Sequence, residues 1–222
     1  MKCVVQEGTK FVLSILTFIC LISLSSIGAQ TIGVDEVVNR LRTSREQTKD
    51  FTADLIQEKK VSLLREKVIS KGRIRFKHPN KISIEFFHPE SSQMVFDGRT
   101  LLFYFKEEKI AERYQVGDNP VIEKYLFFSK DPFQEKLAQW KIAEDWESIV
   151  VMEILPKVKE ALFVKTRLWV SKKDWMVIGM EMVERNGDTT LLRYSNLKVN
   201  SGLTDSDFEI HLPKDVKITD IK

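Results

Sequence analysis

"KHPNKISIEFFHPESSQMVFDGRTLLFYF" (residues 77–105) decides the fold. Three short runs in it have strand character, and Ile82, Ile84 and Phe86 recur with the period of two that one face of a strand requires. Pro79 and Pro89 fall between runs and hold His78 and His88 extended, where the chain leaves one strand for the next. The hairpin in "MVFDGRTLLFYF" then sets a register. A two-residue loop, at Asp97 and Gly98 or at Gly98 and Arg99, pairs even positions before it with odd positions after it. Met94 and Phe96 would then share a face with Leu101, Phe103 and Phe105, while Val95, Leu102 and Tyr104 point away; a three-residue loop would reverse this. Either way, the large apolar side chains exceed what a half-solvated sheet needs.

Upstream, Val34, Val37, Val38 and Leu41 follow i, i+3, i+4, i+7 with Asp35 and Glu36 in the first turn, which predicts a short amphipathic helix ending near Ser44. The period then changes to two at Phe51, Ala53 and Leu55, and again at Ile74 and Phe76. Between about Asn119 and Trp140 helical signals return twice. Asn119 before Pro120 and Asp131 before Pro132 each place a capping side chain ahead of proline at the first helical position. Phe133, Leu137 and Trp140 form one stripe. Strands resume in "SIVVMEIL", "LFVKTRLWV", "WMVIGMEMVE", a turn at Asn186 and Gly187, "TTLLRYSNLKV" and "DFEIHL" before Pro213. The reading is one α+β domain whose sheet of roughly ten strands must curl, as an incomplete or closed barrel lidded by helices.

Lys2 and Lys10 flank the start of an apolar run at 11–22, followed by small residues in "SSIGAQ", the pattern of a secretory signal cleaved after Ala29. That run is too short for a spanning helix, which needs about 20 residues. Ile19 before Cys20 does not suit lipid attachment. The expected organisation is a signal at 1–29 and a single domain at 30–222. Removing 1–29 takes both cysteines, Cys3 and Cys20, so packing, not disulfides, must stabilise the 193-residue remainder. Its 33 basic and 31 acidic residues argue against a dedicated nucleic-acid binder.

Catalytic signals are sparse. The chain has three histidines, none in an H-E-x-x-H run, and no G-x-S-x-G, P-loop or G-x-G-x-x-G. His78, His88 and His211 read as turn or surface residues, and neither catalysis, a metal nor a cofactor is expected. Met176, Ile178, Met180 and Met182 share one parity, a row of adaptable side chains that suits either ordinary core filling or an irregular apolar ligand. A tight turn at Asn186 and Gly187 would put Arg193 on that face.

"GRIRFKHPNKISIEFFHPESSQMVFDGRTLLFYF" resembles the outer-membrane lipoprotein carrier (LolA) family in its G-x-I-x-F-K-x-P-N run, the proline before the third strand and the F-D-G-R-T-L-x-F-Y hairpin. "DFTADLIQE", "NGDTTLLRYSNLKVN" and "DFEIHLPKDV" continue the likeness in order. The resemblance implies an unclosed β-barrel with a lid of short helices. It implies a monomeric periplasmic carrier that takes acylated lipoproteins from an inner-membrane ABC transporter, shields their acyl chains and hands them to an outer-membrane receptor.

On that reading Ile74, Phe76, Ile82, Ile84 and Phe86, then Met94, Phe96, Leu101 and Phe103, with Met176, Ile178, Met180 and Met182, would form the cavity wall. Val37, Val38, Leu41, Phe133 and Leu137 would form the lid. Family members usually carry Arg, hydrogen-bonded to the lid, where this chain has His78, which offers one donor instead of five. The same residues could instead fill a solid barrel. The fold also serves lipid-sensing or protein-binding regulators, which usually carry a second domain.

Overall fold

The computed structural model describes residues 32–63, 66–115, 138–157 and 161–221. Helix α1 (Val34–Gln47) begins after Gly33 and runs three residues beyond the expected end. Asp35 and Glu36 at its start and Arg45 at its end complement the helix dipole. Glu36 and Arg40 pair one turn apart at 2.7 Å. The helix stops at Thr48, whose Oγ1 donates to the Ser44 carbonyl at 2.7 Å. Val37, Val38 and Leu41 are its buried stripe.

Twelve strands follow: β1 (Asp50–Val61), β2 (Glu66–Lys77), β3 (Lys81–His88), β4 (Ser92–Phe96), β5 (Thr100–Phe105), β6 (Ile110–Gln115), β7 (Ala138–Asp145), β8 (Ile149–Pro156), β9 (Phe163–Ser171), β10 (Val177–Glu184), β11 (Thr189–Val199) and β12 (Lys217–Ile221). They form a single sheet ordered β12-β6-β5-β4-β3-β2-β1-β11-β10-β9-β8-β7. Among the described residues, the β12–β6 pairing is parallel and the other pairings are antiparallel. β12 and β7 are the two ends of that order, so the curved sheet is an unclosed barrel.

The β4–β5 hairpin has the two-residue loop. Phe96 pairs with Leu101 and Met94 with Phe103. Gly98 takes φ +102 at the first loop position, and a β-carbon there would also meet Asn80 Oδ1 at 2.9 Å. Asp97 Oδ1 secures the loop by accepting from the Arg99 and Thr100 amides, each at 2.8 Å. The register then carries one apolar row across the sheet: Phe51, Phe76, Ile82, Phe96 and Leu101 lie opposite one another in turn. A neighbouring row runs through Ala53, Ile74, Ile84 and Met94. Gly72 permits the close approach of β2 to β3 at the bulge between Lys71 and Gly72, since a β-carbon there would fall 2.2 Å from the Glu85 carbonyl oxygen.

Three expectations need correction. Ala138, Gln139 and Trp140 belong to β7, not to a helix, because Trp140 and Ile142 alternate to face Ile154 and Met152 of β8. Phe133, Leu137 and the two expected helix starts lie outside the described residues. The β10–β11 loop has three residues, 185–187, with Val183 opposite Thr189 and the Glu184 amide donating to the Asp188 carbonyl. Arg193 consequently pairs with Gly179 and leaves the methionine face, where Met180 meets Leu192.

Third, "DFEIHL" is no strand. Asp205–Phe208 is a 3-10 turn capped reciprocally by Thr204 and Asp207, and the last strand comes later as β12. Asp207 Oδ2 accepts from the Thr204 amide and hydroxyl at 2.8 and 2.9 Å, bonds that draw the backbone out of a ladder. This segment lies against the outer face of the sheet, where Phe208 is 3 % exposed beside buried Ser83 and Val95. Lys77 and Lys81 hold Asp205 at 2.6 and 3.0 Å.

Asp50 ties the C-terminal segment to β1. Its carboxylate, in a residue 5 % exposed, accepts from the Ser201 amide at 2.7 Å, the Ser201 hydroxyl at 2.9 Å and the Gly202 amide at 3.1 Å. Burial alone would push this carboxyl up, but the bonds from Ser201 and Gly202 outweigh it and hold it below the usual 3.8. A depressed folded pKa stabilises the protein above the unfolded value and loses that contribution as pH falls through the folded one. Asp50→Ala is therefore expected to cost about 2 kcal/mol at neutral pH, with the gap to wild type closing as urea melts are taken to pH values well under 4.

Candidate functional site: an apolar cavity beneath the helix

Leu41, Ser44, Arg45 and Thr48 lie at i, i+3, i+4 and i+7, one face of α1. That face is apolar up to Leu41 and polar beyond it. The apolar part is packed down: Val37, Val38 and Leu41 form a closed core with Ala138 of β7, Val150, Met152 and Ile154 of β8, and Leu168 and Val170 of β9. From Leu41 onward the last turn of the helix overhangs a space of about 220 Å³.

Three sides of the sheet line this cavity. β1–β3 supply Phe51, Ile74, Phe76 and Ile82, and the Phe51 and Phe76 rings stack with centroids 5.4 Å apart. β9 and β10 supply Leu168, Val177 and Met180, and β11 supplies Tyr194 and Leu197. Trp140, Trp175 and Met176 complete the wall. Burial pushes the Tyr194 phenol well up, so it stays a neutral hydroxyl throughout the physiological range. Among the described residues, no three or more His, Cys, Asp or Glu side chains come together as metal ligands would.

The helix end is clasped to the β9–β10 turn by a few polar contacts. Ser44 Oγ donates to the Asp174 carbonyl at 3.1 Å and lies 3.2 Å from Met176 Sδ. The Arg40 guanidinium sits 4.8 Å above the Trp175 ring. Trp175 adopts φ +57, a left-handed conformation that costs a non-glycine residue about 1–3 kcal/mol and needs its surroundings to hold it. The bond from the Trp175 amide to the Ser171 carbonyl at 2.9 Å is part of that support.

Of the residues singled out from sequence, Ile74, Phe76, Ile82, Met176, Met180 and Leu41 line the cavity. Val37 and Val38 lie in the closed core instead. Ile84 and Phe86 continue the wall over Ala53, Leu55 and Ile74. Met94, Phe96, Leu101 and Phe103 form an adjoining cluster with Ile82 and Tyr114. The methionine row is interrupted: a bulge between Val177 and Gly179 takes Ile178 off the lining and brings Val177 onto it, while Met182 lies farther along, opposite Thr166 and Thr190.

His78 is exposed, and the link between the end of β2 and the α1–β1 junction is made by its main chain, the amide donating to the Lys49 carbonyl at 2.7 Å. Trp140 reads from sequence as part of a helical stripe, not as wall, and the polar helix residues, Trp175, Leu168, Tyr194 and Leu197 carry no sequence signal of a site. Phe51 was legible from its alternation with Ala53 and Leu55; Tyr194 was obscured by the misjudged β10–β11 loop.

Residues 46–211 match the family described as outer membrane lipoprotein carrier protein LolA. The outer-membrane lipoprotein carrier protein of Histophilus somni is 26% identical over 211 residues, covering 92% of this chain and 95% of the relative. Among solved structures, an uncharacterized conserved protein of Thermus thermophilus superposes with a TM-score of 0.54 at 12% identity, covering 84% of this chain and 98% of that one. Pseudomonas aeruginosa MucB, solved as a MucA/MucB complex, gives a TM-score of 0.50 at 12% identity, over 80% and 61% of the two chains. At such identities these two structures establish a shared fold alone.

Because Trp140 and Trp175 lie in the wall, a brominated fatty acid that enters the cavity is expected to quench their fluorescence. A Trp140→Phe/Trp175→Phe double variant should lose most of that quench, and an undiminished quench would put the ligand elsewhere.

Proposed function

Since the chain belongs to the LolA family of outer membrane lipoprotein carrier proteins, we propose that it is a periplasmic, monomeric carrier that holds the acyl chains of lipoproteins against the concave face of its sheet. In this reading an N-terminal signal at 1–29 directs export and is removed. Cargo is received from an inner-membrane ABC transporter and passed to an outer-membrane receptor. The observation that carries the proposal is the cavity, whose described walls are made largely of Phe, Ile, Leu, Met and Trp side chains.

The thermodynamics of such cargo explain the design. A lipoprotein anchor carries on the order of 30 to 45 methylenes, and exposing them to water at about 0.8 kcal/mol each would cost roughly 25 to 35 kcal/mol. Non-covalent affinities saturate near about 18 to 21 kcal/mol, so a carrier cannot recover that whole cost and loading requires an external source of work. A space of about 220 Å³ is also below the roughly 300–1,000 Å³ of sites that enclose drug-sized ligands. It admits only part of one acyl chain. Uptake of a whole anchor therefore requires α1 to move off the sheet, and the short clasp at Ser44 and Arg40 is where it would release.

Ile82 stands where the cavity row crosses into the β4–β5 cluster, half-buried in both. Ile82→Glu is expected to weaken binding of a fluorescent fatty-acyl probe to the 30–222 protein at least tenfold while leaving its circular dichroism unchanged. Undiminished probe binding by the folded variant would refute the assignment of the wall.

A further inference from the structure

β1 and β2 form the longest hairpin of the sheet, and its distal part runs beyond the neighbour on one side. Their register is continuous from Asp50 opposite Lys77 to Val61 opposite Glu66, but β3 pairs with β2 only from Lys71 onward. The stretch from Glu66 to Ser70 thus has β1 alone as a partner. Its apolar side chains have no core to enter: Val68 and Ile69 are exposed, as is Ile56 across the ribbon, and Leu63 at the turn is 90 % exposed. Leu63, Val68 and Ile69 are grouped on one ribbon, and apolar side chains presented together to water mark an interaction surface in a way that singly scattered ones do not.

Basic residues are set back from this tip. On the described parts of the two strands, Lys59, Lys60, Lys67 and Lys71 stand against Glu58 and Glu66. Glu58 is engaged by Lys67 at 2.6 Å, with Arg193 at 3.8 Å. Lys59 and Lys60 lie three to four residues behind Leu63, about 10–13 Å along a strand, so an insertion of Leu63 by about 5–10 Å leaves them at the headgroup level. The tip is also held firmly. The Ser62 amide donates to Asp188 Oδ1 at 2.8 Å and the Ser62 hydroxyl to the Asn186 carbonyl at 2.9 Å, so Leu63 projects just beyond an anchored residue. Those bonds also occupy the Asp188 carboxylate, the nearest acidic group on the adjoining turn.

We propose that the β1–β2 hairpin tip docks on an anionic lipid surface, Leu63 entering the acyl boundary while Lys59, Lys60 and Lys67 meet the headgroup phosphates. The lysines select a negatively charged membrane, and the exposed leucine and valine make the contact more than a screened charge attraction. This surface is distinct from the cavity. A carrier that touches the membrane through it would deliver its cargo at the bilayer instead of in free solution, a consequence that rests on the carrier reading, whereas the docking itself does not.

Co-flotation of the 30–222 protein with vesicles tests this. Vesicles of phosphatidylglycerol and phosphatidylcholine should carry at least five times as much protein as vesicles of phosphatidylcholine alone, with the excess lost in high salt. Leu63→Asp and Lys59→Glu/Lys60→Glu should each abolish most of that excess; both sites are exposed, so the fold should persist by circular dichroism. Ile82→Glu should leave flotation unchanged while losing the acyl probe, which separates failure of the docking surface from failure of the carrier reading. Equal flotation with both vesicle types, wild-type flotation of folded Leu63→Asp, or an effect of Leu63→Asp confined to self-association in sedimentation would overturn the proposal.

Discussion

The structure is governed by a mismatch of areas: among the described residues, one fourteen-residue helix faces the concave side of a twelve-stranded sheet. Where α1 reaches, over β7–β9, the interior closes to fully buried Val37, Val150, Met152 and Val170. Farther along the sheet, around buried Phe96 and Leu101, the side chains of Ile82, Met94, Phe103 and Tyr114 are only partly buried, and no residue of α1 belongs to that cluster. Full burial of a side chain of this size is worth about 1.5–3 kcal/mol, so each partly exposed one leaves a share of that unrealised. An apolar guest that completes the burial recovers it. The antiparallel register keeps these residues on one face, and the C-terminal segment, strapped by Asp50 and by Lys77 and Lys81, stiffens the opposite face so that the curvature persists.

The same mismatch makes the helix the element able to move. Its apolar stripe seats on a closed core, while its C-terminal half is held through polar contacts: Arg40 over Trp175, Ser44 on the Asp174 carbonyl, and the Gln47 carbonyl accepting from Asn200 Nδ2 at 3.3 Å. Neutral hydrogen bonds contribute about 0.5–1.5 kcal/mol each and an exposed cation–π contact about 0.5–1 kcal/mol. Lifting the C-terminal turn therefore costs a few kcal/mol, far less than unseating Val37, Val38 and Leu41.

Much of this was legible in the residues from 77 to 105, because Asp97, Gly98 and the strict alternation around them admit few registers. The family likeness was legible in the same stretch. In each misreading a periodic pattern was overridden, once by a tertiary contact and twice by the chemistry of neighbouring residues. Phe133, Leu137 and Trp140 satisfy helical spacing, yet Trp140 answers to Ile154 across a ladder. "DFEIHL" alternates like a strand, yet Thr204 and Asp207 close a capping box first. Asn186 and Gly187 suggest the tightest loop, but Arg185 joins them and shifts the following strand by one, which returns Arg193 to the outside. The bulge at Ile178, the left-handed Trp175 and the parallel pairing of β12 left no periodic trace at all. The cavity's polar lip was missed because Ser44, Arg45 and Thr48 interrupt the apolar stripe that marked the helix.

The most direct measurement of the central claim is acyl uptake with the helix end tethered. The 30–222 chain lacks cysteine, so Ser44→Cys and Met176→Cys can be joined by a short thiol-specific cross-linker across the clasp. Binding of a diacylated peptide should fall at least tenfold in the tethered protein and return when a cleavable linker is reduced. Equal binding with the tether intact would mean that the cargo seats without displacing α1, and the cavity beneath it would not be the place where acyl chains are held.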